Sequence, residues 1–366
     1  MVDISTFLPT KATPDYDMQN GYVRFRAACE SETVYYFLPM SSDFLHYYDK
    51  TTGESGVLCG KPECAHDSKE CNAYIIGDSS MCYYNNKVYW HDSQNGVNYL
   101  YSMAPDATER QQEKVLKSEI AGNNLMVRLH RDYVYIAKID SVVEDGASSK
   151  TIRITREPLG SITEEPELVY EESCISGGDF FIQAAGNVLY ILVNTYDVET
   201  QESKVFLHGY NIESQQVMLL TEKQCQGLIV KDFRYVTGDT CYISLYDGWG
   251  STDTVELWQW NQAINQLDVL FTEEPEISNP YLQEEYVVLL TGADNPQYCV
   301  MDYLGSIIRE GKMPFPQGAE RVRFTHMGGT KEYTLVSLID WNGEGRSLLM
   351  IPFDPAEEIK ILWTNV

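Results

Sequence analysis

The chain has 366 residues, 43% of them hydrophobic, with 54 acidic against 27 basic side chains and a formal charge of −27. So negative a surface repels phosphate backbones and anionic membrane faces, which excludes nucleic acid as a partner. No apolar run approaches the roughly 20 residues that a membrane-spanning helix needs.

Residues 1–20 show no strand pattern and are expected to form an N-terminal arm or a latch that closes the fold. They lack the basic start and apolar stretch of a secretory leader, which leaves a cytoplasmic chain or an exported one whose leader has been removed. A β-rich unit then runs near 21–58, and the 26 tyrosines of the chain, with its Val, Ile and Thr, favour strands. Val34-Tyr35-Tyr36-Phe37-Leu38 reads as a strand leading to Asp43. Tyr48-Asp49 closes another, and the aliphatic pair Val57-Leu58 comes after it.

Next comes the loop 59–74, where Cys59, Cys64, His66 and Cys71 fall at the spacing Cys-x4-Cys-x-His-x4-Cys. Three thiolates and an imidazole are a common tetrahedral zinc set. Cys64 and His66, two apart, share a side if the segment is extended. Gly60 and Pro62 suit a turn returning Cys59 towards them, and Asp67 is placed to orient the imidazole. A structural zinc is one expectation. A Cys59–Cys71 disulfide is the alternative, and a reduced loop that merely packs is a third. Catalytic zinc is disfavoured, because protein would fill all four positions. The nine cysteines are an odd number, so at least one thiol is free or bound to something other than cysteine.

The two signals of the first unit recur along the rest of the chain. An acid ends or follows a short strand at Asp43, Asp92, Asp140, Asp197, Asp247, Asp294 and Asp340, at intervals of 49, 48, 57, 50, 47 and 46 residues. Out of phase with it, an aromatic followed by Asp or Asn precedes an aliphatic pair: Tyr210-Asn211 to Leu219-Leu220, Trp260-Asn261 to Val269-Leu270, Phe353-Asp354 to Ile361-Leu362. Asp and Asn accept backbone hydrogen bonds two residues on, so this second signal marks a hairpin. One further strand per unit, such as Asp179–Gln183 or Val322–Thr325, makes four. Only Ala107–Ile120 has any helical character.

Four short antiparallel strands at this period are what a propeller blade requires, because a lone blade exposes apolar side chains on both faces. The fold class is therefore all-β, a β-propeller of seven four-stranded blades near 21–58, 73–116, 121–170, 177–221, 229–271, 277–313 and 320–364, one domain spanning 21–366. A six-bladed ring or tandem β-sandwiches are the competing architectures. First and last units each hold four strands, so no strand exchange is expected to close the ring.

The stretch Leu58-Cys59-Gly60-Lys61-Pro62-x-Cys64-x-His66 through Cys71-x-Ala73-Tyr74, preceded by Tyr35-Tyr36-Phe37 and Tyr47-Tyr48-Asp49-Lys50, resembles a signature of uncharacterised propeller proteins from anaerobic gut bacteria. The resemblance is strongest over about residues 21–75. It implies an exported or lipid-anchored protein at the cell envelope and brings no activity with it. This chain departs from it in having no lipid-attachment cysteine near residue 1.

The recurring acids should lie on one face, in connections between second and third strands, either capping their own turns or forming a ring for calcium or a cationic ligand. Two of these connections also carry tryptophan, so Asp247 with Trp249 and Asp340 with Trp341 are the candidate ligand-binding residues. A pyranose stacks on an indole and offers hydroxyls to carboxylates. His46, His130, His208 and His326 read as packing residues. No nucleophile or phosphate-loop motif is present. The expected function is a non-catalytic recognition or scaffold propeller binding a glycan or a protein. The alternative is a carbohydrate-active enzyme, hydrolase or lyase, using acids of the central funnel.

Overall fold

A computed structural model describes residues 4–9, 28–40, 42–75, 81–94, 97–116, 125–144, 147–160, 165–174, 178–197, 200, 202–225, 227–236, 240–247, 254–273, 279–291, 294–314, 321–342 and 345–365. Blade 1 comprises β1 (Ala28–Glu30), β2 (Val34–Phe37), β3 (His46–Asp49) and β4 (Ser55–Val57). Blade 2 comprises β5 (Met81–Tyr84), β6 (Lys87–Gln94), β7 (Val97–Met103) and β8 (Gln111–Leu116). Blade 3 holds β9 (Leu125–His130), β10 (Tyr133–Glu144), β11 (Ala147–Pro158) and β12 (Glu167–Cys174). Blade 4 holds β13 (Gly178–Ala185), β14 (Val188–Tyr196), β15 (Ser203–Asn211) and β16 (Gln216–Gln224). Blade 5 is built of β17 (Ile229–Val236), β18 (Thr240–Tyr246), β19 (Val255–Asn261) and β20 (Gln266–Glu273). Blade 6 is built of β21 (Asn279–Leu282), β22 (Tyr286–Thr291), β23 (Gln297–Asp302) and β24 (Ile307–Lys312). Blade 7 ends the chain with β25 (Val322–Gly329), β26 (Tyr333–Asp340), β27 (Arg346–Pro352) and β28 (Lys360–Asn365).

Each sheet pairs its four strands antiparallel in chain order, so this is the seven-bladed β-propeller, not a six-bladed ring or a sandwich tandem. Ala107–Ile120 is not helical where described. Residues 111–116 form β8, and Ala107 and Glu109 adopt φ of 65° and 54° in the turn before it.

The local chemistry of the hairpins explains their recurrence. At the close of the third strand in blades 1, 4, 6 and 7 an acid or amide side chain accepts amides of the turn. Asp49 Oδ1 takes Thr51 N at 2.7 Å and Thr52 N at 3.0 Å. Asn211, Asp302 and Asp354 do the same in their own blades.

In blades 2 to 7 the pairing of third and fourth strands then slips by one residue. Such a bulge strengthens the twist of the exposed edge strand and makes it a poor template for another chain.

The described residues form seven apolar clusters, one at each blade junction. From blade 1 to blade 6 the first strands of successive blades pack on one another and so line the axis. Polar contacts bridge the same junctions. Tyr84 Oη donates to Asp132 Oδ1 at 3.0 Å, His130 Nε2 lies 2.7 Å from the Gly186 carbonyl, and Gln183 Nε2 donates to the Phe233 carbonyl at 2.6 Å. The Gln283 amide oxygen accepts from His326 Nε2 at 3.0 Å, while its nitrogen donates to the Thr330 and Tyr333 carbonyls. The donors and acceptors of these bonds are mostly buried, where an unmade hydrogen bond is costly.

Blades 7 and 1 meet without strand exchange. Phe37 and Leu348 share a cluster, Tyr35 meets Tyr333 edge-on at 5.8 Å, and Glu30 Oε2 accepts from Tyr333 Oη at 2.9 Å. The N-terminal segment docks elsewhere. Phe7 enters the blade 4–blade 5 cluster, and its carbonyl accepts from Tyr190 Oη at 3.0 Å. The remainder of 1–20 lies outside the described residues.

Candidate functional site

Leu58, Cys71, Ala73 and Ile75 anchor the cysteine-histidine loop in the apolar cluster between blades 1 and 2, with Cys59 and Cys64 packed beside them. Its two ends are tied down. Leu45 N donates to the Ala73 carbonyl and Leu58 N to the Leu45 carbonyl. Arg110 donates to the carbonyls of Asn72 at 3.0 Å and Tyr74 at 2.6 Å, and its guanidinium lies over the Trp90 and Tyr101 rings. Gly60 passes so close to the blade 2 turn that a Cβ there would sit 3.1 Å from the Asp106 and Ala107 carbonyl oxygens.

This scaffold converges the four donors. The Sγ atoms of Cys59, Cys64 and Cys71 and one imidazole nitrogen of His66 all lie within 4.8 Å of one another. Cys71 Sγ is 3.5 Å from His66 Nδ1. Metal–ligand bonds of about 2.0–2.3 Å in a tetrahedron give donor–donor edges of roughly 3.5–3.8 Å, so the cluster is sized to hold a metal ion. His66 reaches it by a bend, with φ of 56°, rather than from an extended segment. Nδ1 faces Cys71, and Asp67 is exposed with no hydrogen bond to the imidazole among the described residues.

The thiols are electrostatically unequal. Burial opposes ionisation of Cys59, but the amides of Lys61 and Asn72 and the neighbouring thiols outweigh it and its pKa falls. Burial, with the nearby Cys59 and Cys64 sulfurs, pushes Cys71 up to about 12. Three thiolates this close repel, and a cation at the centre is what lets all of them ionise together. Cys59, Cys64 and Cys71 stand here as free thiols.

The other candidates are dispersed. Asp247 follows β18 half-buried, with its amide donating to the Thr254 carbonyl at 3.1 Å. Trp249 lies outside the described residues. Asp340 ends β26 at 8% exposure, on the face of Val336 and Leu338 that packs against blade 6. Trp341 is 51% exposed. Asp247 and Asp340 belong to blades 5 and 7, which are not neighbours. The recurring acids likewise differ in role. Asp197 caps its turn through Thr200 N, Asp140 pairs with Lys138 and Arg153, and Asp294 pairs with Arg321.

Two groups beside Trp341 were not singled out by the sequence pattern. The Arg321 and Arg323 guanidinium carbons lie 4.7 and 5.6 Å from the indole centroid, and Trp341 N donates to the Arg321 carbonyl at 2.9 Å. The only signal for them was Arg-x-Arg at the start of a strand in a strongly acidic chain.

No protein-family model matches the chain, and no curated protein matches it. Among solved structures it is similar to an oligogalacturonate lyase in complex with manganese, at 9% identity and TM-score 0.55, over 95% of this chain and 90% of that one. It is also similar to oligopeptidase B from Trypanosoma brucei, at 10% identity and TM-score 0.52, covering 97% of this chain and 49% of that one. Pyrococcus horikoshii acylaminoacyl peptidase gives 9% identity and TM-score 0.52, over 95% and 54%. The chain spans about half the length of these two peptidases. At such identities the likeness is one of fold alone, and a propeller fold carries many unrelated functions.

Proposed function

We propose that the chain is a non-catalytic recognition propeller that binds a glycan on the face bearing the second-to-third strand connections, with a structural zinc at the junction of blades 1 and 2. The observation that carries the reading is Trp341. It stands half exposed on that face, whereas Trp90, Trp258 and Trp260 are buried in blade packing. An exposed indole at the mouth of a ring is the platform on which a sugar face stacks, and its exposure is costly unless something covers it in use. A glycan array tests the reading, with binding and no turnover expected. Release of reducing or unsaturated ends from a bound polysaccharide, abolished by Trp341→Ala, would make the chain an enzyme instead.

Zinc is the metal that three thiolates and one imidazole suit, and with four protein donors none of its positions is left for a reacting water. Its chemistry here is therefore to hold the loop against both blades. The purified protein should contain about one zinc per chain, lost in Cys64→Ser together with a fall in the unfolding midpoint. Two thiols missing from a free-thiol count without metal would reveal the disulfide and end the zinc assignment. A glycan partner goes with a place at the cell envelope, as the resemblance to exported propellers also implies, and fractionation of the producing cells checks it.

A further inference from the structure

The Arg321 and Arg323 guanidiniums lie against the Trp341 ring, while Asp340, at the end of β26, is buried on the face of Val336 and Leu338. The register agrees with the grouping. Val322 is paired with Asp340 and Arg323 with Ile339, so the two arginines flank the pair that the indole follows. Among the described residues, the charged side chains lying against the exposed indole are these two guanidiniums.

Arg321 is held at 2.5 Å by Asp294 of blade 6, a carboxylate 75% exposed, so the contact positions the guanidinium without burying it. Arg323 is exposed, and no carboxylate among the described residues pairs with it. Acidic side chains outnumber basic ones two to one in this chain. Two arginines gathered on one indole, one of them with no ion pair among the described residues, are not what that composition would place there by default.

We infer that Arg321, Arg323 and Trp341 form a subsite for an anionic sugar, a pyranose carrying a carboxylate, at the axial mouth of blade 7. The inference rests on the glycan-recognition reading and names its ligand class. A guanidinium presents parallel N–H donors that match a carboxylate, and the indole offers an apolar face to the ring bearing it. A bare inorganic anion would use the guanidiniums and leave the indole idle. A neutral sugar would use the indole and leave Arg323 idle. Only a ligand with both features occupies everything that is assembled. The surrounding negative charge repels any anion that the pair does not hold, which selects against ligands of charge alone.

Calorimetric titration of the full chain at low salt provides the test, with three probes: a tetramer of galacturonate, a neutral tetramer of galactose, and inorganic phosphate. The uronate tetramer should bind at least about tenfold more tightly than the other two. Arg323→Ala and Trp341→Ala should each weaken it about tenfold, and Arg323→Lys less. Far-ultraviolet circular dichroism and unfolding midpoints equal to the parent confirm that these surface variants fold. Equal affinity for the neutral tetramer, unchanged by Arg323→Ala, would overturn the inference and leave glycan recognition standing. Phosphate binding as tightly as the uronate would reduce the site to an anion site and overturn it too. Binding of none of the three would sink the inference, and failure on a wider glycan array would sink the recognition reading with it.

Discussion

His46 is buried between Phe37 and Trp363, with ring centroids 5.7 and 4.9 Å away, and its Nδ1 lies 2.8 Å from the Phe44 carbonyl. Burial, partly offset by that carbonyl, depresses its pKa from 6.5 to about 4. The unfolded chain therefore binds the proton first as pH falls. The stabilisation is complete above about 6.5 and is lost as pH drops towards about 4, a change on the order of 3 kcal/mol. Urea unfolding of the parent and of His46→Gln across this window measures it, and the parent should show the steeper loss. A parallel pH dependence in the two would remove His46 as the cause. At this scale the sequence exposed the metal cluster, because four donors within 13 residues stand out against scattered cysteines. It concealed the arginines beside Trp341, because their meeting with the indole depends on cross-strand register. The half-exposed indole itself was legible. Its expected carboxylate neighbour, Asp340, adjoins it in the chain but is buried on the face of Val336 and Leu338.

Within the elements, the aliphatic pair on each fourth strand has a cause that pattern alone did not supply. In blade 4, Leu207 is paired with Thr221 and His208 with Leu219, which leaves Leu220 as the extra residue of the bulge. Leu220 is 3% exposed while Leu219 is 43% exposed. The same holds in blade 7, where Leu362 occupies the bulge and is buried while Ile361 is exposed. The bulge turns one residue inward out of sequence, so two adjacent aliphatics can differ wholly in environment. Leu220→Ala should cost about 2–4 kcal/mol and Leu219→Ala less than about 0.5 kcal/mol by denaturant unfolding. Similar losses from both would mean that the bulge is not where the register puts it. Alternation gave the strands; the one-residue slip breaks alternation and so could not be seen in it.

For the whole molecule, the seven-fold repeat was legible because each blade must present the same hydrophobic period to both neighbours, and the recurring acids and hairpin signals inherit that period. The seam was not legible, since it depends on residues about 300 positions apart, and chain-local patterns do not report such distances. Glu30 is its hub, accepting Tyr333 Oη from blade 7 and Lys50 Nζ at 2.5 Å from its own blade. Glu30→Ala removes this acceptor from Tyr333 Oη and leaves Lys50 only the Ser31 carbonyl, so it should lower stability by about 1–3 kcal/mol, with Tyr333→Phe nearer 1 kcal/mol. Hydrogen exchange should then quicken first in β1 and β26. Unchanged exchange there would show that apolar packing alone closes the circle.

Because blades 7 and 1 join by side chains and neither borrows a strand from the other, that meeting place differs from the other six only in lacking a peptide connection. The order in which the polypeptide visits the blades is then incidental to the finished shape. New ends opened between any two blades, with the old ones bridged by a linker of sufficient reach, leave every sheet with its own four strands. A gene of this design can also gain or shed whole blades by duplication and deletion without orphaning a strand, the number settling wherever the circle shuts without strain.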